Sequence, residues 1–219
     1  MKIIARIRTD FPEKFAIPRQ SGLTDTIGTI VFEPEFRVSE ALRGIEQYSH
    51  LWLIWEFSES KKDKWSPTVR PPRLGGNKRM GVFATRSPYR PNPIGLSSVK
   101  LMGVEQTKEG TVLKVSGADL MDNTPIYDIK PYLSFTDSHP DAINGFADER
   151  LWYSLEVVFP DSLKKSLTQS QINELTSILA QDPRPAYICD KERIYGLSYG
   201  GFEVKFKVSD GVVTVCELL

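Results

Sequence analysis

The sequence predicts a mainly β protein, with an antiparallel sheet or β-barrel in its N-terminal domain and a small α+β C-terminal domain. Short runs rich in β-branched and aromatic residues recur through the first half of the chain, separated by glycine, proline and charged turns. A polar stretch rich in turn-forming residues follows residue 134. We therefore expect one domain at residues 1–135 and a second at 136–219.

The first domain is expected to consist mostly of short strands. They are Ile3–Ile7, Thr26–Phe32, Leu51–Phe57, Val82–Thr85, Ile94–Met102 and Thr111–Val115. Ser39 is suited to cap a short helix that runs through Tyr48, although Gly44 weakens it. Apolar residues are nearly continuous in Leu51–Phe57, which predicts that both faces of this strand are covered or that one packs against a second subunit.

The second domain is expected to combine one helix with a hairpin. Leu155–Phe159 has the composition of a strand, and Thr168 is suited to cap a helix. The apolar face of that helix consists of Ile172, Leu175, Ile178 and Leu179. Residues 201–208 alternate apolar and charged side chains, and Ser209-Asp210-Gly211 then predicts a tight turn into a last strand.

Composition limits the compartment and the chemistry. The chain has 219 residues, of which 40% are hydrophobic and 26% charged, so it can form a proper core. No apolar run reaches the roughly 20 residues of a membrane-spanning helix, and the N-terminus lacks a signal-peptide pattern, so we expect a cytoplasmic protein. Cys189 and Cys216 lack CxxC spacing and neighbouring histidines, so neither a metal site nor a disulfide framework is expected.

The charge distribution is uneven although the formal net charge is zero. Residues 60–100 contain ten lysines and arginines, with Asp63 as the only acid. Such a basic cluster attracts a phosphate backbone, and Trp65 beside the lysines could stack on a base. The alternative is a solvated loop with no partner.

The most informative segment is GVFATRSPYRPNPIGLSSVKL, residues 81–101. Its three prolines restrict their own φ and that of the preceding residues, so the segment cannot be helical and loses little entropy on ordering. Arg86 and Arg90 offer planar donors suited to carboxylate or phosphate. An ordinary surface loop is the alternative, and the arginines favour a binding site.

Several common catalytic motifs are missing from the sequence. There is no GxGxxG after a strand, no GxxxxGK[ST], no HExxH and no GxSxG. Dinucleotide binding on a Rossmann fold, P-loop hydrolysis, zincin chemistry and the hydrolase nucleophile elbow therefore lack support.

Six segments of the chain share the motifs of one known family. They are KFAIPRQSGL, YSHLWLIWEF, PTVRPPRLGGN, RMGVFATRSPYRPNPIGLS, DLMDNTPIYDIKPYL and QDPRPAY. In this order they resemble the TsaA-like, or TrmO, family of bacterial tRNA methyltransferases. The resemblance implies a homodimer whose β-barrel binds S-adenosyl-L-methionine (SAM) through loops at the subunit interface. Methyl transfer needs none of the missing motifs, because the sulfonium already carries a good leaving group and the protein mainly supplies alignment.

The resemblance implies a SAM pocket built from four parts of the chain. Its members are Gln20, Ser21, Gly22, Phe57, Ser58, Ser87, Ser97, Ala118, Asp119 and Leu120. Phe57 could stack on adenine, and Asp119 could accept from a ribose hydroxyl or from the ammonium group. The alternatives are a core position for Phe57 and a turn-capping role for Asp119. Ser58 departs from the family pattern, in which His is common.

The same resemblance implies a threonine tRNA that carries N6-threonylcarbamoyladenosine beside the anticodon as the methyl acceptor. The lone pair of N6 is delocalised, so a base or a strong orienting contact is expected. We expect Arg86 or Arg90 to bind the threonine carboxylate and Asp122 to polarise the N–H, which makes these three the candidate catalytic residues. Asp122 could instead cap a turn. A non-catalytic SAM-binding or RNA-binding barrel is the alternative function.

The second domain is acidic, with eight basic and 13 acidic residues in residues 134–219. This balance is unfavourable for binding phosphate. We expect the domain to shape the cleft instead, through Arg184 and Tyr187.

Overall fold

The structure is a computed structural model that describes residues 1–60, 64–71, 74, 78–150, 153–184 and 190–219. Its strands are β1 (Ala5–Arg8), β2 (Ile27–Phe32), β3 (His50–Glu56), β4 (Thr68–Val69), β5 (Met80–Gly81), β6 (Ile94–Thr107), β7 (Gly110–Ser116), β8 (Pro125–Pro131), β9 (Glu156–Val158), β10 (Tyr195–Tyr199), β11 (Phe202–Ser209) and β12 (Val212–Leu218). Its α-helices are α1 (Ser134–Asp137), α2 (Asp161–Lys164) and α3 (Gln169–Ala180). The mainly β class predicted from the sequence is confirmed.

Six strands form a closed antiparallel barrel in the order β1-β2-β7-β6-β3-β8. The ring closes where β8 pairs with β1, at Ala5↔Ile126. On β3 the side chains of Leu51, Leu53 and Trp55 are buried, and the residues between them are half-buried. This alternation follows from the two-residue period of a strand. Only the inward face of β3 is therefore fully buried, and cover of its outward face by a second subunit stays a prediction.

The strand predicted at Val82–Thr85 is wrong. Residues Val82–Ala84 form a 3-10 helix that directly follows β5. The Nη1 group of Arg90 donates to the carbonyls of Val82 at 3.0 Å and Thr85 at 2.7 Å. Because these carbonyls are bound by an arginine side chain, the segment folds back on the proline loop and does not join a sheet.

The helix predicted from Ser39 to Tyr48 is also wrong. Two separate 3-10 helices, Ser39–Leu42 and Ile45–Gln47, occupy this segment. Gly44 between them has a φ of 86°, which ends the first helix and turns the chain. The Ser39 hydroxyl donates to Glu40 at 3.1 Å and does not cap a helix.

The second domain contains a four-stranded sheet in the order β10-β11-β12-β9, in which β9 runs parallel to β12. The predicted cap at Thr168 is confirmed, because its Oγ1 accepts from the backbone N–H of Gln171 at 3.3 Å in a full capping box. The predicted hairpin is also confirmed. Asp210 and Gly211 connect β11 to β12 with φ values of 51° and 83°, as a two-residue turn of this kind requires.

Two hydrophobic clusters stabilise the described chain. One fills the barrel, and the other lies between α3 and the four-stranded sheet. The second cluster includes Phe11 and Ala16, which follow β1 in the chain. The Phe11 ring lies 5.0 Å from that of Tyr199. The segment after β1 thus joins the second core, and the domain boundary near residue 135 stays a prediction.

None of the helices in the described ranges is long and apolar enough to cross a membrane. Cys216 is an exposed free thiol. Asp63, Tyr187 and Cys189 lie outside the described residues.

Candidate functional site

A hydrogen-bonded chain connects the barrel core to Asp119 at the end of β7. Trp55 on β3 donates its indole N–H to Ser97 Oγ on β6 at 2.9 Å. Ser97 is 1% exposed and donates its hydroxyl to Asp119 Oδ1 at 2.5 Å. The carboxylate of Asp119 is therefore held in one orientation by residues from two neighbouring strands.

The position of the Trp55 ring depends on a glycine in the neighbouring strand. Gly95 pairs with Trp55 in the register of β3 and β6. A Cβ atom at Gly95 would lie 2.2 Å from Cε2 of Trp55, which is far inside van der Waals contact. The absence of a side chain at Gly95 lets the indole ring lie over the strand and reach Ser97.

The pKa of Asp119 is raised above its ordinary value because burial disfavours the charged form. The Ser97 hydroxyl, backbone N–H groups and the positive charge of Arg86 act in the opposite direction. One of these N–H groups belongs to Ser21. Because these contacts do not fully offset the cost of burying the charge, the half-buried carboxylate is suited to receive a cationic group from a ligand.

The loop around residues 20–22 is joined to the Asp119 loop by backbone contacts. The N–H of Gly22 donates to the carbonyl of Gly117 at 2.9 Å, and the N–H of Gly117 donates to Thr26 at 3.0 Å. Gly117 has a φ of 82°, and a Cβ atom there would lie 3.2 Å from the backbone of Gly22. The close approach of the two loops therefore depends on the absence of a side chain at Gly117, whereas Gly22 is favoured by its own φ of 76°.

Arg86 extends this cluster towards the proline loop. Its Nη1 group donates to Oε1 of Gln20. The Gln20 amide in turn donates to the carbonyl of Arg19. Arg19 Nη2 donates to the carbonyls of Asp182 at 3.3 Å and Arg184 at 3.4 Å. A continuous set of contacts therefore connects the second domain to Asp119.

The loop of the second domain that receives Arg19 is itself rigidly built. Arg184 forms a two-point ion pair with Asp182, with N–O distances of 2.8 and 3.0 Å. Tyr153 also donates to Asp182 at 2.9 Å. These contacts raise the pKa of Arg184, chiefly through its hydrogen bond to Asp182. That Arg184 shapes the cleft stays a prediction.

Phe57 and Ser58 lie at the rim of the barrel, after β3. The ring of Phe57 packs against Trp55 with 4.2 Å between centroids, and it is half-buried. The backbone N–H of Phe57 donates to Pro93 at 2.8 Å, which connects it to the proline loop. Ser58 begins a short 3-10 helix, Ser58–Ser60. Phe57 is thus both a core neighbour and a partly exposed aromatic face.

Ala118 and Leu120 flank Asp119 with their side chains in the barrel core, where each is 1% exposed. Only their backbone groups can face a ligand. The carbonyl of Leu120 accepts from Thr9 Oγ1 at 3.1 Å. This pattern fixes the direction of Asp119, because its two neighbours anchor the loop on the opposite side.

Arg90 and Ser87 are engaged within the proline loop. Besides its two carbonyl contacts, the guanidinium of Arg90 lies 5.5 Å from the ring centroid of Phe83. Ser87 accepts from the backbone N–H of Tyr89 at 3.3 Å. These contacts give both side chains a role in holding the loop, whereas the guanidinium of Arg86 points to the Gln20 side of the site.

Asp122 lies away from this cluster. Its Oδ1 accepts from the backbone N–H of Thr9 at 3.1 Å, and its own N–H donates to Phe11 at 2.8 Å. Partial burial raises the pKa of Asp10, and the negative charges of Glu174 and Asp122 raise it further. The contacts of Asp122 therefore belong to the junction with the second domain, which is the turn-bracing alternative stated above.

Matches to family profiles and to a related protein cover nearly the whole chain. Residues 6–138 match the profile of the tRNA-methyltransferase O N-terminal domain, and residues 153–219 match that of the TrmO C-terminal domain. The chain is 44% identical over 216 residues to the tRNA (adenine(37)-N6)-methyltransferase of Escherichia coli strain K12, covering 94% of this chain and 92% of that relative. This chain belongs to the TrmO family.

Two further matches from Pseudomonas aeruginosa agree with the family. A candidate SAM-dependent methyltransferase is 45% identical over 192 residues, which are 84% of this chain and 81% of that relative. The crystal structure of TrmO from the same species superposes with a TM-score of 0.78 at 35% identity, covering 99% of this chain and 96% of that one. The resemblance inferred from the six sequence motifs is confirmed.

For this TrmO family member, two contributors to the site were missed by sequence reasoning. Trp55 orients Ser97, and the sequence did not show its inward direction, because apolar residues occupy both faces of β3. Arg19 is the contact to the second domain, and its position beside Gln20 in the PRQ motif was the available signal. Neither contact partner could be identified from the sequence, because each lies in a distant segment.

Proposed function

We propose that this chain is a SAM-dependent tRNA (adenine(37)-N6)-methyltransferase. Family membership supports the activity, because the relative from E. coli carries that name. One structural observation carries the assignment of the site: the half-buried carboxylate of Asp119 lies beside the Ser21 backbone and Arg86, where three loops meet. SAM, when bound, supplies an electrophilic methyl group on a sulfonium, and the protein mainly aligns it.

The residues around Asp119 fit SAM by their chemistry. The carboxylate can accept from the ammonium or from a ribose hydroxyl, and Ser97 keeps it oriented. The Gly22 N–H is already bonded to Gly117, so the base edge would use other backbone groups of these two loops. Phe57 offers a half-buried aromatic face for adenine. The remaining predicted members, Ser58 and Ser87, lie in the adjoining loops.

We propose that the acceptor is N6-threonylcarbamoyladenosine in a threonine tRNA. The threonyl carboxylate of this nucleoside needs a donor that can bind it at two points. Arg86 is exposed, and its contact to Gln20 leaves further N–H groups of the same guanidinium to bind an anion. Arg90 is committed to two backbone carbonyls, so we assign it to loop structure. Polarisation of N6–H by Asp122 stays a prediction, and its contacts to Thr9 favour a structural role.

We also propose that the chain forms a homodimer. The outward face of β3 and β6 carries Trp52, Ile54 and Leu96, and Leu96 is 59% exposed. Burial of this apolar face by a second copy would remove it from water. A cytoplasmic location stays a prediction.

The test of the proposed function is transfer of radiolabel from SAM to threonine tRNA, with and without the threonylcarbamoyl group. We expect transfer to the modified tRNA alone. Arg86→Ala should raise KM for the modified tRNA, and Arg8→Ala, at an exposed arginine on β1, is the matched control. SAM binding without transfer would favour the non-catalytic alternative, and binding of neither ligand would overturn the proposal.

A further inference from the structure

Two exposed aromatic rings lie together in the segment between β3 and β6, which we call the basic loop. Trp65 is 51% exposed and Phe83 is 71% exposed, and their ring centroids are 6.0 Å apart at an interplanar angle of 33°. Single exposed aromatic residues are ordinary, but two neighbouring exposed rings, tilted towards each other, form a larger apolar surface.

The fold holds both rings in place. Trp65 precedes β4 and Phe83 follows β5, and these strands pair at Thr68↔Gly81. The N–H of Val82 donates to the carbonyl of Pro67 at 2.9 Å, which extends this connection. The Arg90 guanidinium lies over the Phe83 ring and is fixed by its two carbonyl contacts. The surface is therefore preorganised, and binding to it costs little conformational entropy.

The sequence around the rings is strongly basic. Residues 60–100 contain ten lysines and arginines against one acid, Asp63. The exposed members with described positions are Lys64, Arg70, Lys78, Arg79, Arg86 and Lys100. An acidic protein surface could satisfy these charges, but a strand of unpaired nucleotides supplies both a regular series of phosphates and flat bases.

We propose that Trp65 and Phe83 form an aromatic platform on which unpaired bases of the RNA substrate stack, while the surrounding lysines and arginines bind its phosphates. This inference rests on the proposed function and names a part of the substrate that the SAM site does not contact. Phe83 lies three residues before Arg86, so a base on the platform belongs to a nucleotide near the methylated adenosine in the same single-stranded loop.

The experiment measures binding of a fluorescent anticodon stem-loop to the SAM-saturated protein. Trp65→Leu and Phe83→Leu keep apolar bulk but remove the aromatic face, whereas Trp65→Phe and Phe83→Tyr keep it. We expect the leucine variants to weaken RNA binding by about 5- to 150-fold, the range for loss of one base–aromatic stack. The aromatic variants should retain most of the affinity. SAM affinity, measured by calorimetry, should be unchanged in all four.

Phe135→Leu is the matched control, because Phe135 is 86% exposed on α1 and lies outside the basic loop. It should bind RNA as the unaltered protein does. Thermal unfolding of each variant shows whether a loss of affinity is due to misfolding. If a leucine variant is misfolded, the RNA affinity of the aromatic variants decides whether the platform binds RNA.

Three results would overturn the platform. The leucine variants could bind RNA with full affinity, or the aromatic variants could lose as much affinity as the leucine ones. The leucine variants could also change the oligomeric state without changing RNA binding, which would show that a second copy covers the rings. In each case methyl transfer by the unaltered protein would leave the proposed function standing, whereas absence of transfer and of RNA binding would remove both proposals.

Discussion

Asp119 and Asp122 lie three residues apart in the loop between β7 and β8, and they have different surroundings. Asp119 faces the barrel, where Ser97 and the Ser21 backbone meet its carboxylate. Asp122 faces the segment after β1, where the N–H of Thr9 donates to it. Two aspartates on one short loop thus have different roles: Asp119 belongs to a candidate ligand site, and Asp122 belongs to a junction between the two cores.

The difference shows why residue type alone is a weak guide to a catalytic group. Both carboxylates belong to the motif DLMDNTP, and either could be the functional one on sequence grounds. Asp119 is half-buried with a positive side chain nearby and a raised pKa, whereas the contacts of Asp122 are to backbone groups of one segment. The comparison predicts that substitutions at the two positions separate activity from stability.

Asp119→Asn should have the largest effect. It keeps the shape of the side chain but removes the charge that we assign to SAM binding. We expect kcat/KM for methyl transfer to fall about 100-fold, which corresponds to about 2.7 kcal/mol of transition-state binding. Steady-state kinetics with modified tRNA measure this. Equal activity in Asp119→Asn and the unaltered protein would contradict our assignment of the site.

Gly117→Ala should have the next largest effect, because the new methyl group pushes the loop that carries Asp119 away from the loop of residues 20–22. The new Cβ would lie 3.2 Å from Gly22 at a φ of 82°. We expect a loss of about 1–3 kcal/mol of unfolding free energy from the strained backbone. SAM affinity should fall as well. Gly211→Ala, in the β11–β12 turn at a similar φ, is the control for strain alone and should leave SAM affinity unchanged.

Asp122→Asn should have a smaller effect, and mainly on stability. Its carboxylate accepts one backbone N–H, and loss of the charge weakens that hydrogen bond. We expect a loss of about 1 kcal/mol of unfolding free energy, as for a single hydrogen bond. Urea denaturation measures the change, and SAM affinity should not move. A hundredfold loss of kcat at unchanged stability would instead establish Asp122 as the group that polarises N6–H.

The pH dependence should show the smallest effect. Because the folded-state pKa of Asp119 lies above its unfolded value, its contribution to stability is full at low pH and is lost as pH rises through the folded pKa. Asp119→Asn should therefore gain stability relative to the unaltered protein as pH rises from 4 to 7. Thermal unfolding across this range tests the sign. The SAM affinity of the unaltered protein should fall on acidification, because binding uses the ionised carboxylate.

Sequence alone was sufficient for features that depend on neighbouring residues. The capping box at Thr168 and the Asp210-Gly211 turn were both predicted correctly, because short-range backbone geometry decides them. The six family motifs also identified the family.

Which side chains act together became visible only in the folded protein. Arg90 binds carbonyls in its own loop, and that contact replaces the strand predicted at Val82–Thr85. Trp65 lies beside Phe83 through the pairing of β4 with β5. These outcomes depend on contacts between distant segments and on burial, which changes the cost of a charge. Local sequence carries little information on either, because the same residue has a different energy in each environment.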